Sequence, residues 1–239
     1  MNKLYFNNKE AYKDLNLLIM NAIEYPFIKE EKEVVEVNGR NEGSLTIATG
    51  NYKDLVIPVT FKMYKTDNYK NRIREITMWL TDIRDNILSF EDYREKCYKV
   101  KKIDISNIYD VNFTSAIFTI NFICNPFIYR SREIPIVVNN NSDLYYDGDI
   151  KAEPNIILEL PSNEQNISII INDREFRFEK VKERIEIISS KMLVLDKNKG
   201  SLSNKMVGNF PILDLGINKI KWTGTINRFE INKNTIYRG

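Results

Sequence analysis

The chain has 239 residues, with 35 Lys and Arg against 33 Asp and Glu for a formal net charge of +2, a balance too close to neutral to draw it to nucleic acid or an anionic membrane by bulk charge. Two cysteines supply neither a disulfide framework nor a structural zinc set, and the absence of histidine removes the commonest general acid-base group and the commonest metal ligand. The length allows one large or two modest domains, and the change of character along the chain favours two.

Residues 1–6 read as a short strand, and the alternation in Asp14-Leu15-Asn16-Leu17 predicts extended chain up to Leu18. The charged run 29–32 suits a solvated turn, after which Val34, Val35 and Val37 form a strand. Residues 38–63 then read as an extended hairpin. Leu45 and Ile47 share one face of its first arm, Leu55, Ile57, Val59 and Phe61 alternate along the second, and Thr49-Gly50-Asn51 turns between them because Gly and Asn tolerate positive φ. Pro58 cannot donate to a ladder, which marks the second arm as an edge or a bulged strand, and an unpaired edge is where another chain adds on. The hairpin's apolar faces exceed what one subunit uses, so Leu45, Ile47, Tyr52, Leu55 and Ile57 are the candidate self-association residues. An ordinary hairpin packed within its own domain is the competing reading, since proline also blocks edge pairing.

Thr66-Asp67-Asn68 offers an N-cap, and Ile73, Ile76, Leu80, Ile83 and Ile87 at steps of three and four predict one amphipathic helix over 71–88, its stripe widened by Trp79. Asp82 and Asp85 fit a solvated helix face and have no acid-base partner in the sequence. Residues 99–105 and 115–125 return to strands. In the second, Ala116, Phe118, Ile120, Phe122 and Cys124 line one buried face, which makes Cys124 a small core residue. Lys99, Lys101 and Lys102 lack the interleaved stacking aromatics of a nucleic-acid site and suit a solvated edge.

The charged run 130–132, the polar Asn139-Asn140-Asn141-Ser142 and the prolines Pro135, Pro154 and Pro161 place a domain boundary near Arg130, dividing the chain into 1–130 and 131–239. Asp143, Asp147 and Asp149 lack the spacing and closing Glu of a calcium loop and predict a turn-rich loop. Short strands follow over 155–160, 167–171, 175–178, 184–189, 192–195 and 217–223, with hairpin turns at Asn172-Asp173 and 196–200, so the second half reads as an antiparallel β-sandwich. Trp222 alternates with Ile220 and is expected in the core; its functional alternative is a sugar-stacking platform.

In order and spacing, several segments together resemble the distal tail protein family of long-tailed bacteriophages, over nearly the whole length. They are NGRNEGSLTIATGNYKDLVIPVTF, the helix ending ITMWL, YKVKKIDISNI and IFTINFICNPF in the first half, then YDGDIKAEPNIILEL, IEIISSKMLVLD and NKMVGNFPILDLGINKIKWTG in the second. Phe210-Pro211, Leu213, Gly216-Ile217-Asn218 and Trp222 fall in the family's order. The resemblance implies a mainly β fold with one amphipathic helix: an N-terminal belt domain, a sheet or split barrel with hairpin and helix, followed by a galectin-like β-sandwich. It implies a virion structural protein of the phage tail, not an enzyme, with no catalytic, cofactor or metal residues. Copies would assemble in the bacterial cytoplasm into a homo-hexameric ring joining the tail tube protein to the tail-associated hub protein. Receptor-binding or other baseplate proteins would attach outside, DNA would pass through the channel without specific binding, and no membrane would be contacted. Two alternatives stay open. One is a carbohydrate-binding module for host cell-wall sugars built on Trp222, although the chain lacks the histidine that galectin sites use; the other is the equivalent ring of a phage-derived tailocin or injection particle.

Overall fold

The computed structural model describes residues 3–36, 39, 43–65, 68–91, 95–112 and 114–238. It divides into two compact units, Met1–Ser131 with Arg238–Gly239, and Arg132–Tyr237.

The first unit runs β1 (Leu4–Phe6), β2 (Lys9–Glu10), α1 (Ala11–Leu15), β3 (Leu17–Ile19), β4 (Glu30–Val35), β5 (Leu45–Tyr52), β6 (Leu55–Tyr64), α2 (Tyr69–Thr81), β7 (Ile87–Phe90), β8 (Lys96–Ile105), β9 (Tyr109–Asn112), β10 (Ser115–Cys124) and β11 (Ile128–Arg130). Its main sheet has the order β2-β1-β7-β8-β10-β6-β3. At its centre β6 and β10 pair antiparallel along their whole length, from Tyr64 opposite Ser115 to Leu55 opposite Cys124. The strict alternation predicted for both strands buries Leu55, Ile57, Val59, Phe61 and Met63 beside Ala116, Phe118, Ile120, Phe122 and Cys124. Helix α2 contributes Ile76, Trp79 and Leu80 to the core. Trp79 lies edge-on to Phe6 at 5.8 Å and donates its indole N–H to the Phe6 carbonyl at 2.8 Å, the partner a buried indole requires.

The hairpin of the sequence reading is repartnered. β5 pairs with β4, Ile47 opposite Glu33 and Leu45 opposite Val35, while β6 belongs to the main sheet. Thr49-Gly50-Asn51 does not reverse the chain but bulges within β5, opposite Glu31. Gly50 has φ +78°, the Thr49 hydroxyl donates to the Glu31 carbonyl at 2.9 Å, and the Asn51 N–H donates back to that hydroxyl at 3.3 Å. A positive-φ residue whose flanks both keep strand partners makes a bulge, not a turn. The charged run 29–32, expected as a turn, is therefore largely strand; Val37 lies outside the described residues.

Pro58 sits at an edge as its chemistry requires. On the side of β6 away from β10, the Thr60 N–H donates to Asn21 Oδ1 at 2.9 Å and the Thr60 carbonyl accepts the Met20 N–H at 2.9 Å. Two residues earlier Pro58 faces the same way, its carbonyl accepting from Asn21 Nδ2 at 3.2 Å, so its missing N–H breaks no ladder bond.

The predicted helix over 71–88 is shorter, because α2 stops at Thr81; Ile83 is exposed and Ile87 opens β7. Asn7 ends it from far away in sequence. Its amide donates to the Trp79 and Asp82 carbonyls at 2.8 and 2.9 Å, and its Oδ1 accepts the Arg84 and Asp85 N–H groups at 2.9 and 3.2 Å. The carbonyls that a helix leaves open at its C-terminus are thus partly satisfied and the chain is turned toward β7. The cap residues Thr66 and Asp67 lie outside the described residues, and Asn68 makes no side-chain cap bond. The alternation at Asp14–Leu17 does lead into extended chain, β3, but its first half, Asp14 and Leu15, ends the short helix α1.

The second unit contains β12 (Ile136–Val137), β13 (Ser142–Tyr146), β14 (Asn155–Glu159), β15 (Gln165–Ile171), β16 (Arg174–Val181), β17 (Arg184–Ile188), β18 (Leu193–Asp196), β19 (Met206–Gly208), β20 (Gly216–Thr223), β21 (Arg228–Asn232) and β22 (Ile236–Tyr237). Two five-stranded antiparallel sheets, β12-β21-β14-β17-β18 and β13-β20-β15-β16-β19, share one core that includes Ile156, Ile187, Phe229, Ile169, Phe178 and Ile220. This is a β-sandwich. The turns at Asn172-Asp173 and 196–200 form as predicted, Asn172 at φ +56° and Asp196 Oδ1 accepting the Asn198 and Gly200 N–H groups at 2.8 and 2.7 Å. Among the described residues of this unit, β12, β13, β19, β21 and β22 escaped the sequence reading. The aspartate-rich stretch predicted as a loop begins with β13, where Leu144 and Tyr146 are buried, and β21 lies between β12 and β14 with Phe229 and Ile231 inward.

Candidate self-association surface

The β4–β5 ribbon stands apart from the main sheet. Among the described residues it pairs with no other strand and none of its side chains is buried. Directly opposed residues share a face, so Glu33, Val35, Leu45 and Ile47 form one side, and Lys32, Val34, Thr46 and Ala48 the other. Leu45 and Ile47 are 39% and 45% exposed. An isolated two-stranded ribbon is marginal in water and both outer edges of this one offer unpaired backbone groups, so it gains from any surface that covers it.

Of the five candidate residues, the structure brings Leu45 and Ile47 together on this ribbon and puts Tyr52 at its root. The Tyr52 ring packs edge-on to Phe127 at 5.0 Å, and its hydroxyl accepts from the Arg238 guanidinium at 3.4 Å. Leu55 and Ile57 are corrected: at 3% and 0% exposure their side chains are spent inside their own unit, because β6 pairs along its whole length with β10 in the main sheet and is not an arm of the ribbon.

Sequence reasoning missed a recess at the ribbon's root. Tyr25, Pro26, Phe27 and Ile28 line a groove of about 570 Å³ together with Tyr52 and Arg238. Phe27 is 87% exposed, while the Tyr25 ring is braced edge-on by Phe90 at 5.9 Å. The signal was present as an apolar Tyr-Pro-Phe-Ile run with no alternation to place it in a strand. A second exposed apolar stretch, Ile105, Ile108, Tyr109 and Val111, spans the end of β8 and β9.

The other singled-out residues have local roles. Trp222 lies on the inward side of β20 with Ile220, packs edge-to-face on Phe229 at 5.1 Å, and is held through its backbone by both ends of the Asn140 amide at 2.9 Å. Cys97 and Cys124 are buried, and burial pushes their thiols up to about 11 and about 12, well away from a reactive thiolate. Lys101 pairs with Asp54 at 2.5 Å, Lys102 with Asp104 at 2.7 Å, and Lys99 sits 3.9 Å over the Tyr129 ring. Among the described residues no helix is long and apolar enough to cross a membrane, and no group of His, Cys, Asp and Glu is placed to hold a metal ion.

No protein-family model matches the chain, and no curated protein does. Solved structures do. The chain is similar to the crystal structure of the Dit (gp 19.1) protein of phage SPP1, described as a paradigm of the hub adsorption apparatus in phages infecting Gram-positive bacteria. The match has a TM-score of 0.71 at 12% identity, over 97% of this chain and 98% of that one. A chain of the phage P2 baseplate, in its activated conformation with calcium, matches with a TM-score of 0.50 at 10% identity, over 97% of both. At such identity the likeness carries the fold, and it runs through both units.

Proposed function

We propose that this chain, which has the fold of a phage baseplate hub protein from end to end, is a non-enzymatic structural component of a phage tail. Six copies close into a ring at the distal end, between the tail tube protein and the tail-associated hub protein, with DNA passing through the centre without specific contacts. The observation that carries this reading is the β4–β5 ribbon, a strand pair with an apolar face and open edges that its own unit leaves uncovered. Closed cyclic assembly is the usual way for copies of one chain to cover such a surface without growing into filaments. The galectin-like sandwich is left to bind other baseplate proteins. Tyr145 and Ile217, directly opposed and 66% and 61% exposed on its outer face, suit that purpose.

Native mass spectrometry over a range of concentrations, for the chain alone and with the proteins encoded beside it, tests the proposal. A closed multimer in either setting supports it; a strict monomer in both contradicts it. The carbohydrate-binding alternative rested on Trp222, whose ring the core already uses, so glycan binding abolished by Trp222→Ala is what its revival would require.

A further inference from the structure

A polar recess of about 810 Å³ lies along β20 in the sandwich, within the span of about 300–1,000 Å³ that small-ligand sites occupy. Successive strand residues point to opposite faces, so Ile217, Lys219 and Lys221 turn outward into the recess while Asn218, Ile220 and Trp222 turn toward the core. Asp143 of β13, directly opposite Lys219, and Asp173 of the turn between β15 and β16 complete its wall. One side is already held in place. Asn172 donates to Asp214 Oδ2 at 2.9 Å and accepts the Lys219 N–H at 3.0 Å, and Asp214 pairs with Lys151 at 3.0 Å and with Arg174. A ligand entering here meets a preorganised surface.

The outward groups are uncommitted. Among the described residues the side chains of Asp143, Asp173, Lys219 and Lys221 make no hydrogen bond or ion pair. This holds even though Asp143 and Lys219 are directly opposed, a placement in which acid and base can stabilise a strand pair. Two carboxylates accept, two ammonium groups donate, and their charges cancel. Such a set selects neither an anion nor a cation, but a row of hydroxyl groups, each donor and acceptor at once, satisfies all of it. Tyr145, exposed and directly opposite Ile217, adds a flat apolar surface at the border of the recess. We infer that this recess binds a neutral saccharide, its hydroxyl groups bonded by Asp143, Asp173, Lys219 and Lys221 and the C–H face of one ring laid on Tyr145. Trp222 has no part in the site, because its ring lies on the other face of the sheet against Phe229. The site lies wholly within the second unit, so it stands or falls independently of the ring.

Saturation-transfer NMR on the full chain tests the site. The probes are neutral oligosaccharides of glucose, galactose, rhamnose and N-acetylglucosamine, with poly(glycerol phosphate) and trilysine as the anionic and cationic arms. The inference predicts transfer to at least one neutral saccharide and weaker transfer, or none, to both charged probes. Asp143→Ala removes a charged acceptor and is expected to weaken saccharide binding about tenfold, and Tyr145→Ala weakens it as well. Both side chains are exposed, so an unchanged thermal unfolding midpoint is expected and controls for misfolding. No transfer to any neutral saccharide overturns the inference, as does binding that both variants leave intact. Stronger transfer to either charged probe overturns it too. If the parent gives no saccharide signal while the same variants lose a neighbouring baseplate protein, the face is a protein contact and the saccharide site is excluded.

Discussion

Asn218 uses every hydrogen-bonding position of its amide in a fully buried site. Its Oδ1 accepts the Asp214 N–H at 2.8 Å and Asn172 Nδ2 at 3.0 Å, while its Nδ2 donates to the Asp214 and Gly216 carbonyls at 2.8 and 3.2 Å. It fixes the turn entering β20, where Gly216 takes φ +82°. Asn218→Ala strands several of these groups, and a loss of about 2–4 kcal/mol in urea unfolding of the sandwich is expected. Asp214 beside it feels burial, which pushes its carboxyl up, but this is outweighed by hydrogen bonds from Lys151 and Asn172 and by the charge of Arg174, and the net shift is down. A folded-state pKa below the unfolded value near 3.8 means that this stabilisation is complete at neutral pH and is lost as pH falls through the depressed value. Asp214→Asn should therefore lower stability at pH 7 and flatten its decline below about pH 4, which thermal unfolding at stepped pH will show. The motif containing Gly216 and Asn218 was legible in the sequence, but its purpose was not, because one partner of the amide, Asn172, lies 46 residues away.

At the scale of elements, the two stretches first read as one hairpin behave in opposite ways. Ile57 is fully buried on a strand of the main sheet and Ile47 lies on an uncovered ribbon. Ile57→Ala is expected to cost about 2–5 kcal/mol of stability in chemical unfolding. Ile47→Ala should change the same measurement by less than about 0.5 kcal/mol while weakening self-association. The periodicity of Leu55 to Phe61 revealed that a strand exists there and which face is buried. It held no information about the partner, since β10 begins 51 residues beyond the end of β6 and Gly50-Asn51 carries the same local signal whether it turns or bulges the chain. The helix end failed for the same reason: Ile83 and Ile87 continue the spacing, and the group that stops α2, Asn7, comes from 72 residues before Trp79 in the chain. In the sandwich, where neighbouring strands are joined by short turns such as Asn172-Asp173, most strands were legible. β21 was too short and too polar between its two apolar residues to stand out, although Phe229 and Ile231 alternate correctly.

For the whole molecule, two units with separate cores divide the work. The sandwich encloses one core and exposes Tyr145 and Ile217 side by side on its outer face, whereas the first unit leaves a two-stranded ribbon and a groove uncovered. The most direct test is sedimentation velocity on the parent chain and on Ile47→Asp, which places a charge at the centre of the ribbon's apolar face. The account predicts a discrete closed multimer for the parent, alone or with the proteins encoded beside it, and under the same conditions a monomer with an unchanged unfolding midpoint for the variant. A variant that assembles as the parent does would contradict it.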